Sequence, residues 1–147
     1  MGNAKILFVK ISFPKQAAFT LVEVIVVIVI IGAIAGLALP GFQSSTETVR
    51  SREAVNILTA LLGAQNRYAM ENGGVFTNVL NDLDVTIPTP GNFAAPTVSA
   101  AVNPTDVAVT IVRSAGGFYG SYTLTITRAG AVACAGGSGG ICSKIGY

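Results

Sequence analysis

The chain has no histidine and no tryptophan. Without histidine it lacks the side chain most often used as a general base near neutral pH, and the commonest metal ligand with it. Charge is scarce as well. Asp, Glu, Lys and Arg make up 11% of the residues, under half the roughly 25% of an average soluble domain. A formal net charge of +2 provides no broad basic surface, which argues against strong nucleic-acid binding. No Gly-rich phosphate loop follows a strand-like run, and no nucleophile sits beside a visible base. An enzyme is therefore the weakest class, and neither a catalytic residue, a metal nor a cofactor is expected. What is abundant is apolar: 51% of the 147 residues, with a mean hydropathy of +0.63. That is too apolar for a disordered chain, and the length suits one ordinary domain.

The apolar residues are concentrated. Phe19 to Leu39 reads FTLVEVIVVIVIIGAIAGLAL, roughly 21 residues that would extend about 31 Å as a helix, close to the ~30 Å of a bilayer core. It is apolar on every side, so it has no polar face for water, and lipid favours a helix because the backbone must satisfy its own hydrogen bonds there. A membrane span is expected over 19–40. The preceding segment 1–18 carries Lys5, Lys10 and Lys15 and no acid, which favours the cytoplasmic side and places the C-terminus outside. Beyond it, Arg50, Arg52, Arg67, Arg113, Arg128 and Lys144 face all seven acidic residues, so the pI near 8.7 is owed to the leader.

Glu23 interrupts the apolar run. A carboxylate deep in a bilayer costs about 2.5–3.5 kcal/mol even on lenient insertion scales. Near the cytoplasmic end it could snorkel to the headgroups or take up a proton; the sharper reading is that it has a partner created by processing. An ordinary signal-peptide cut is a further option, since Ala33-Ile34-Ala35 before Gly36 has the small-x-small pattern and would release a secreted protein starting at Gly36.

The string Lys15-Gln16-Ala17-Ala18, then Phe19-Thr20-Leu21-Val22-Glu23, then an unbroken Val/Ile run resembles the class III signal of type IV pilins and pseudopilins. The resemblance is close over residues 15–42 and architectural beyond them. It implies that a prepilin peptidase cuts between Ala18 and Phe19, removing a cytoplasmic leader 1–18, and methylates the new Phe19 amine. Ala18 stands where the family usually has Gly. The Phe19 amine would then be neutralised by Glu23 of a neighbouring subunit, a pair far stronger away from water than on a surface. Gly32, Gly36 and Pro40 punctuate the second half of the run. Gly32 and Gly36 have the spacing that lets helices approach closely, and Pro40 lacks an amide proton and would kink or open a helix. By resemblance, residues 32–40 are a flexible stretch in the assembled filament.

Past Pro40 the pattern becomes amphipathic. Ala54, Ile57, Leu58, Leu61, Leu62 and Tyr68 recur at spacings of three and four, with Arg50, Arg52, Glu53, Asn56, Gln65 and Arg67 between them. Asn72-Gly73-Gly74 is a helix stop, so one long helix is expected to run to about residue 72. Residues 73–96, punctuated by Pro88, Pro90 and Pro96, read as an irregular connection. Asp82 and Asp84 in it suit a solvated loop better than a calcium site, which needs six to eight ligands. Within 97–147, Thr97–Val102, Val107–Arg113 and Phe118–Arg128 are strand-like, and Tyr122, Leu124 and Ile126 alternate with Thr residues, as one covered sheet face requires. Three or four antiparallel strands against the amphipathic helix make an α+β head, pilin-like in its architecture, over 41–147.

Cys134 and Cys142 bracket a Gly-rich tail. Outside the cytoplasm such a pair is expected to oxidise, although two free thiols or a redox pair fit the spacing too. Many type IV pilins close a C-terminal loop in this way. The resemblance implies a structural subunit of a type IV pilus-like filament for adhesion, twitching motility or DNA uptake. Its partners would be other copies of itself, the inner membrane before assembly, the prepilin peptidase and an assembly machine with an ATPase. A pseudopilin of a type II secretion system is the alternative, followed by a membrane-anchored or secreted binding module.

Overall fold

The computed structural model describes residues 19–88, 91–114 and 116–147, the side chains of 38–40 excepted. The chain divides into two compact units, Met1–Ala38 and Leu39–Tyr147. The element order is α1 (Leu21–Glu71), a single 3₁₀ turn (Leu80–Asp82), β1 (Thr97–Val98), β2 (Val107–Val112), β3 (Tyr122–Thr127), β4 (Val132–Gly136) and α2 (Ile141–Ile145).

α1 ends where its glycines begin. Gly73 and Gly74 take φ of +67° and +85°, the left-handed conformation that costs a residue without Cβ nothing. The Gly74 N–H then turns back to the Ala69 carbonyl at 2.7 Å, a Schellman-type closure that satisfies one of the carbonyls left open at a helix end. Within the second unit, the stripe of Ala54, Ile57, Leu58, Leu61 and Leu62 is buried, and it shares one core with Val109, Ile111, Leu124 and Ile126 of the sheet and Phe76 of the connection. Tyr68 packs at its margin. The polar positions between these residues face outward with one exception. Gln65, expected among the solvated residues, is fully buried.

The four strands form an antiparallel meander in the order β1-β2-β3-β4. β3 alternates strictly, with Tyr122, Leu124 and Ile126 buried and its threonines half-exposed. In β2 the register shifts between Val107 and Val109, which lets Ala108 and Val109 both turn inward.

Strand limits differ from those expected at three places. β1 stops at Val98, because the Asp106 carboxylate accepts the Val102 and Asn103 N–H groups at 3.0 and 2.8 Å and folds that segment into a turn. β3 starts at Tyr122 rather than Phe118, since Gly116, Gly117 and Gly120 all adopt positive φ. In the tail, Val132–Gly136 pairs along β3 as a fourth strand, and Ile141–Ile145 forms a short helix whose Ile141 and Ile145 are buried.

Candidate functional site

At the start of α1, Thr20 Oγ1 accepts the Glu23 N–H at 3.2 Å and the Thr20 carbonyl accepts the Val24 N–H at 3.3 Å. Thr20 thus caps the helix, and Thr-Leu-Val-Glu has the spacing of a capping box. The cap keeps Phe19 outside the helix, with 77% of its surface exposed. It also puts Glu23 in the first turn, where the unpaired N–H groups favour negative charge. Phe19 and Glu23 line one shallow groove of about 310 Å³ with Val24, Val27 and Ile28. Among the described residues no cation pairs with Glu23. Ala18, Lys5, Lys10 and Lys15 lie outside the described residues.

Beyond this turn the apolar side chains are uncovered. Every large one from Leu21 to Ile34, and Leu37 after them, is exposed. A Cβ added at Gly32 or Gly36 would meet nothing within 4 Å. The α-helix continues through residues 32–40. Among the described residues no single helix is long and apolar enough to cross a membrane. The stretch qualifies only as a broken pair, Leu21–Leu37 with Gly41–Glu71. Over 19–40 the structure thus offers that broken pair and not one clear single-pass helix.

The head contains a second polar constellation that the periodicity did not reveal. Glu47, on α1, is 5% exposed. Its Oε1 accepts Arg113 Nε at 2.6 Å and the Tyr122 hydroxyl at 2.9 Å, while Oε2 accepts Arg50 at 3.2 Å. Arg113 also donates to the Asn92 carbonyl at 2.7 Å and lies 5.7 Å from the centre of the Phe93 ring. Burial alone would raise the Glu47 pKa, but the hydrogen bonds from Arg113 and Tyr122 and the Arg113 charge outweigh it and hold the carboxyl below its ordinary value. Burial and the bond to Glu47 push the Tyr122 phenol well above its own. Each group satisfies the others, so the cluster ties helix to sheet and leaves no free base or nucleophile.

The other polar groups are likewise structural. Gln65 donates to the Thr77 carbonyl at 2.7 Å and accepts the Thr77 N–H at 3.0 Å, anchoring the connection to α1. Asp84 binds Arg67 in a two-point pair at 2.8 and 2.7 Å, and Asp82 accepts the Thr77 hydroxyl at 2.8 Å. The Arg67 hydrogen bond holds the Asp84 pKa below its usual value. Cys134 of β4 and Cys142 of α2 form a disulfide with Cα atoms 5.5 Å apart. Closing that short loop is worth about 2.5 kcal/mol in the chain-entropy model.

Residues 13–39 match the prokaryotic N-terminal methylation motif. The chain is 41% identical over 58 residues to type II secretion system core protein G of Escherichia coli K12, covering 40% of each protein. It is 32% identical over 115 residues to fimbrial protein EcpC of Eikenella corrodens, covering 78% of this chain and 65% of that protein. With the type IV major pilin protein PilA of Myxococcus xanthus it shares 32% identity over 94 residues, 64% of this chain and 42% of that one. The chain thus spans about two fifths of the length of the type II secretion relatives it matches. No solved structure matches it significantly.

Proposed function

We propose, on the premise that the chain belongs to the type IV pilin and pseudopilin family, that it is a structural subunit drawn from the inner membrane into a helical filament of its own copies. The observation that carries this is the uncovered apolar length of α1 headed by Phe19 and Glu23. It is a continuous apolar surface that none of the described residues covers. Hydrolysis of the Ala18–Phe19 bond by a prepilin peptidase frees a cationic amine, which is then methylated. Thr20 holds that amine outside the helix, free to reach Glu23 of an adjoining copy. A pair removed from water is strongly favoured over an isolated buried carboxylate, so it sets the axial register as subunits stack. Helix-to-helix burial of residues 24–39 then replaces lipid contact, Gly32 and Gly36 allow close approach, and Gly32 and Pro40 supply compliance. The role is structural, not enzymatic.

Between the two filament types, a surface pilus is supported by a match over 78% of this chain to a fimbrial protein, and by the disulfide-closed tail. A type II secretion pseudopilus is supported as a second reading by the higher identities to core protein G. Electron microscopy of cells carrying the native chain or Glu23→Ala separates the cases. Long surface fibres that label for the native chain and vanish in the variant support the pilus. Loss of protein export without surface fibres supports the pseudopilus. A processed native chain that stays monomeric in the membrane beside a working assembly machine would overturn both.

A further inference from the structure

We propose that the groove between Phe42 and Phe118 seats the head on the bilayer surface before assembly, taking phospholipid headgroups. This rests on the membrane-anchored stage of the proposed function. Phe42 and Phe118 are 71% and 69% exposed, unusual for phenylalanines, and they line one groove of about 230 Å³ with Tyr119, Thr46 and Arg50.

The place of Phe42 in the chain selects the occupant. Only Pro40 and Gly41 separate it from Leu39, the last residue of the apolar run. In a helix that is about 4.5 Å of rise. The headgroup layer outside the hydrocarbon is about 5–7 Å thick on each side, so Phe42 emerges inside it. Aromatic rings are favoured at that depth, where one part of the environment is apolar and the other wet.

Charge points the same way. Glu47, which lines the groove, is neutralised by Arg113 at 2.6 Å, which leaves Arg50, also in the lining, as surplus positive charge. Lys144 adds another, its Nζ 5.1 Å from the centre of the Tyr119 ring. No second carboxylate lines the groove. Exposed aromatics beside a guanidinium and an ammonium match a layer of anionic phosphates over acyl chains. A seated head would hold the subunit at a fixed depth in the bilayer until extraction.

Because the chain has no tryptophan, single substitutions make clean fluorescent reporters. The full chain is placed in vesicles of phosphatidylethanolamine and phosphatidylglycerol, with or without brominated acyl chains. Reporters are F118W and F42W in the groove and V27W in the apolar helix. V102W, 73% exposed in the β1–β2 connection, serves as the outward control. The expected result is several-fold stronger bromine quenching at F118W and F42W than at V102W, weakened when phosphatidylglycerol is replaced by phosphatidylcholine. Strong quenching at V27W with F118W and F42W no better quenched than V102W would overturn the proposal while leaving the anchor intact. Absence of quenching at V27W would remove the anchor and the proposal with it. An F118W emission that shifts to the blue with rising protein-to-lipid ratio, unquenched by bromine, would assign the groove to a second copy and overturn the lipid seat.

Discussion

Replacing Glu47 with Gln should cost the head about 3 kcal/mol. Gln keeps the shape but removes the counter-charge from Arg113, a guanidinium only 5% exposed. Losing one partner of a buried ion pair costs about 3–5 kcal/mol, because the other charge is left uncompensated. The lower end applies here, since Arg113 keeps the Asn92 carbonyl at 2.7 Å and the Ser114 carbonyl at 3.3 Å. Urea unfolding of the detergent-solubilised chain, followed through tyrosine near-UV dichroism, should show the midpoint falling by about 1–3 M, for a slope of about 1–3 kcal/mol per molar. The acid limb gives an independent check. The Glu47 carboxyl is held below its ordinary 4.5 in the folded state. The native state therefore binds this proton less readily than the unfolded chain. The contribution is complete above pH 4.5 and is lost as pH falls through the lower folded value. Native minus E47Q stability should shrink across that window. A loss under about 1 kcal/mol at neutral pH, or a difference independent of pH, would refute the assignment of Glu47, Arg113 and Tyr122 as the fastening between helix and sheet.

Other outcomes are open to measurement. Gln65→Ala should cost about 2–3 kcal/mol by urea unfolding, because it orphans the buried N–H and carbonyl of Thr77 that Gln65 now satisfies. Reduction of the disulfide, or Cys134→Ser, should remove about 2.5 kcal/mol and speed proteolysis of the tail; unchanged protease resistance would deny it a structural role. Gly137→Ala should destabilise by more than 1 kcal/mol, roughly, because φ is +76° and its new Cβ would collide with Ile141 Cγ2. Thr20→Val should leave the chain in the membrane while fraying the first turn of α1, read as faster amide exchange at Glu23.

The features legible in the sequence were those that repeat. The buried stripe from Ala54 to Leu62 shows at helical spacing because each residue meets the same sheet, and the alternation of Tyr122, Leu124 and Ile126 shows because β3 is covered on one face. What stayed hidden depends on partners distant along the chain. Glu47 meets Arg113 and Tyr122 across separations of 66 and 75 residues, and no local pattern announces such a meeting. Gln65 occupies a position read as polar and outward, and only the returning Thr77 backbone makes its burial tolerable. β4 is built from small residues, Ala133-Cys134-Ala135-Gly136, with no large apolar side chain beyond Val132 to mark alternation. Its register comes from β3 and its closure from the disulfide. At the N-terminal segment, the residue types and their order were legible, as was the resemblance to a class III signal over 15–42, and the methylation motif matches residues 13–39 beside it. The groove of Phe42 and Phe118 was not, because its two sides come from α1 and the glycine-rich turn before β3.

In the proposed filament, loss of the leader creates the cation that Glu23 meets on a neighbouring copy. Mass spectrometry of the N-terminal peptide from sheared or purified filaments tests it most directly. The expected chain begins at Phe19 and carries one N-methyl group. Filaments whose subunits retain Lys5, Lys10 and Lys15, or begin at Gly36, would contradict it.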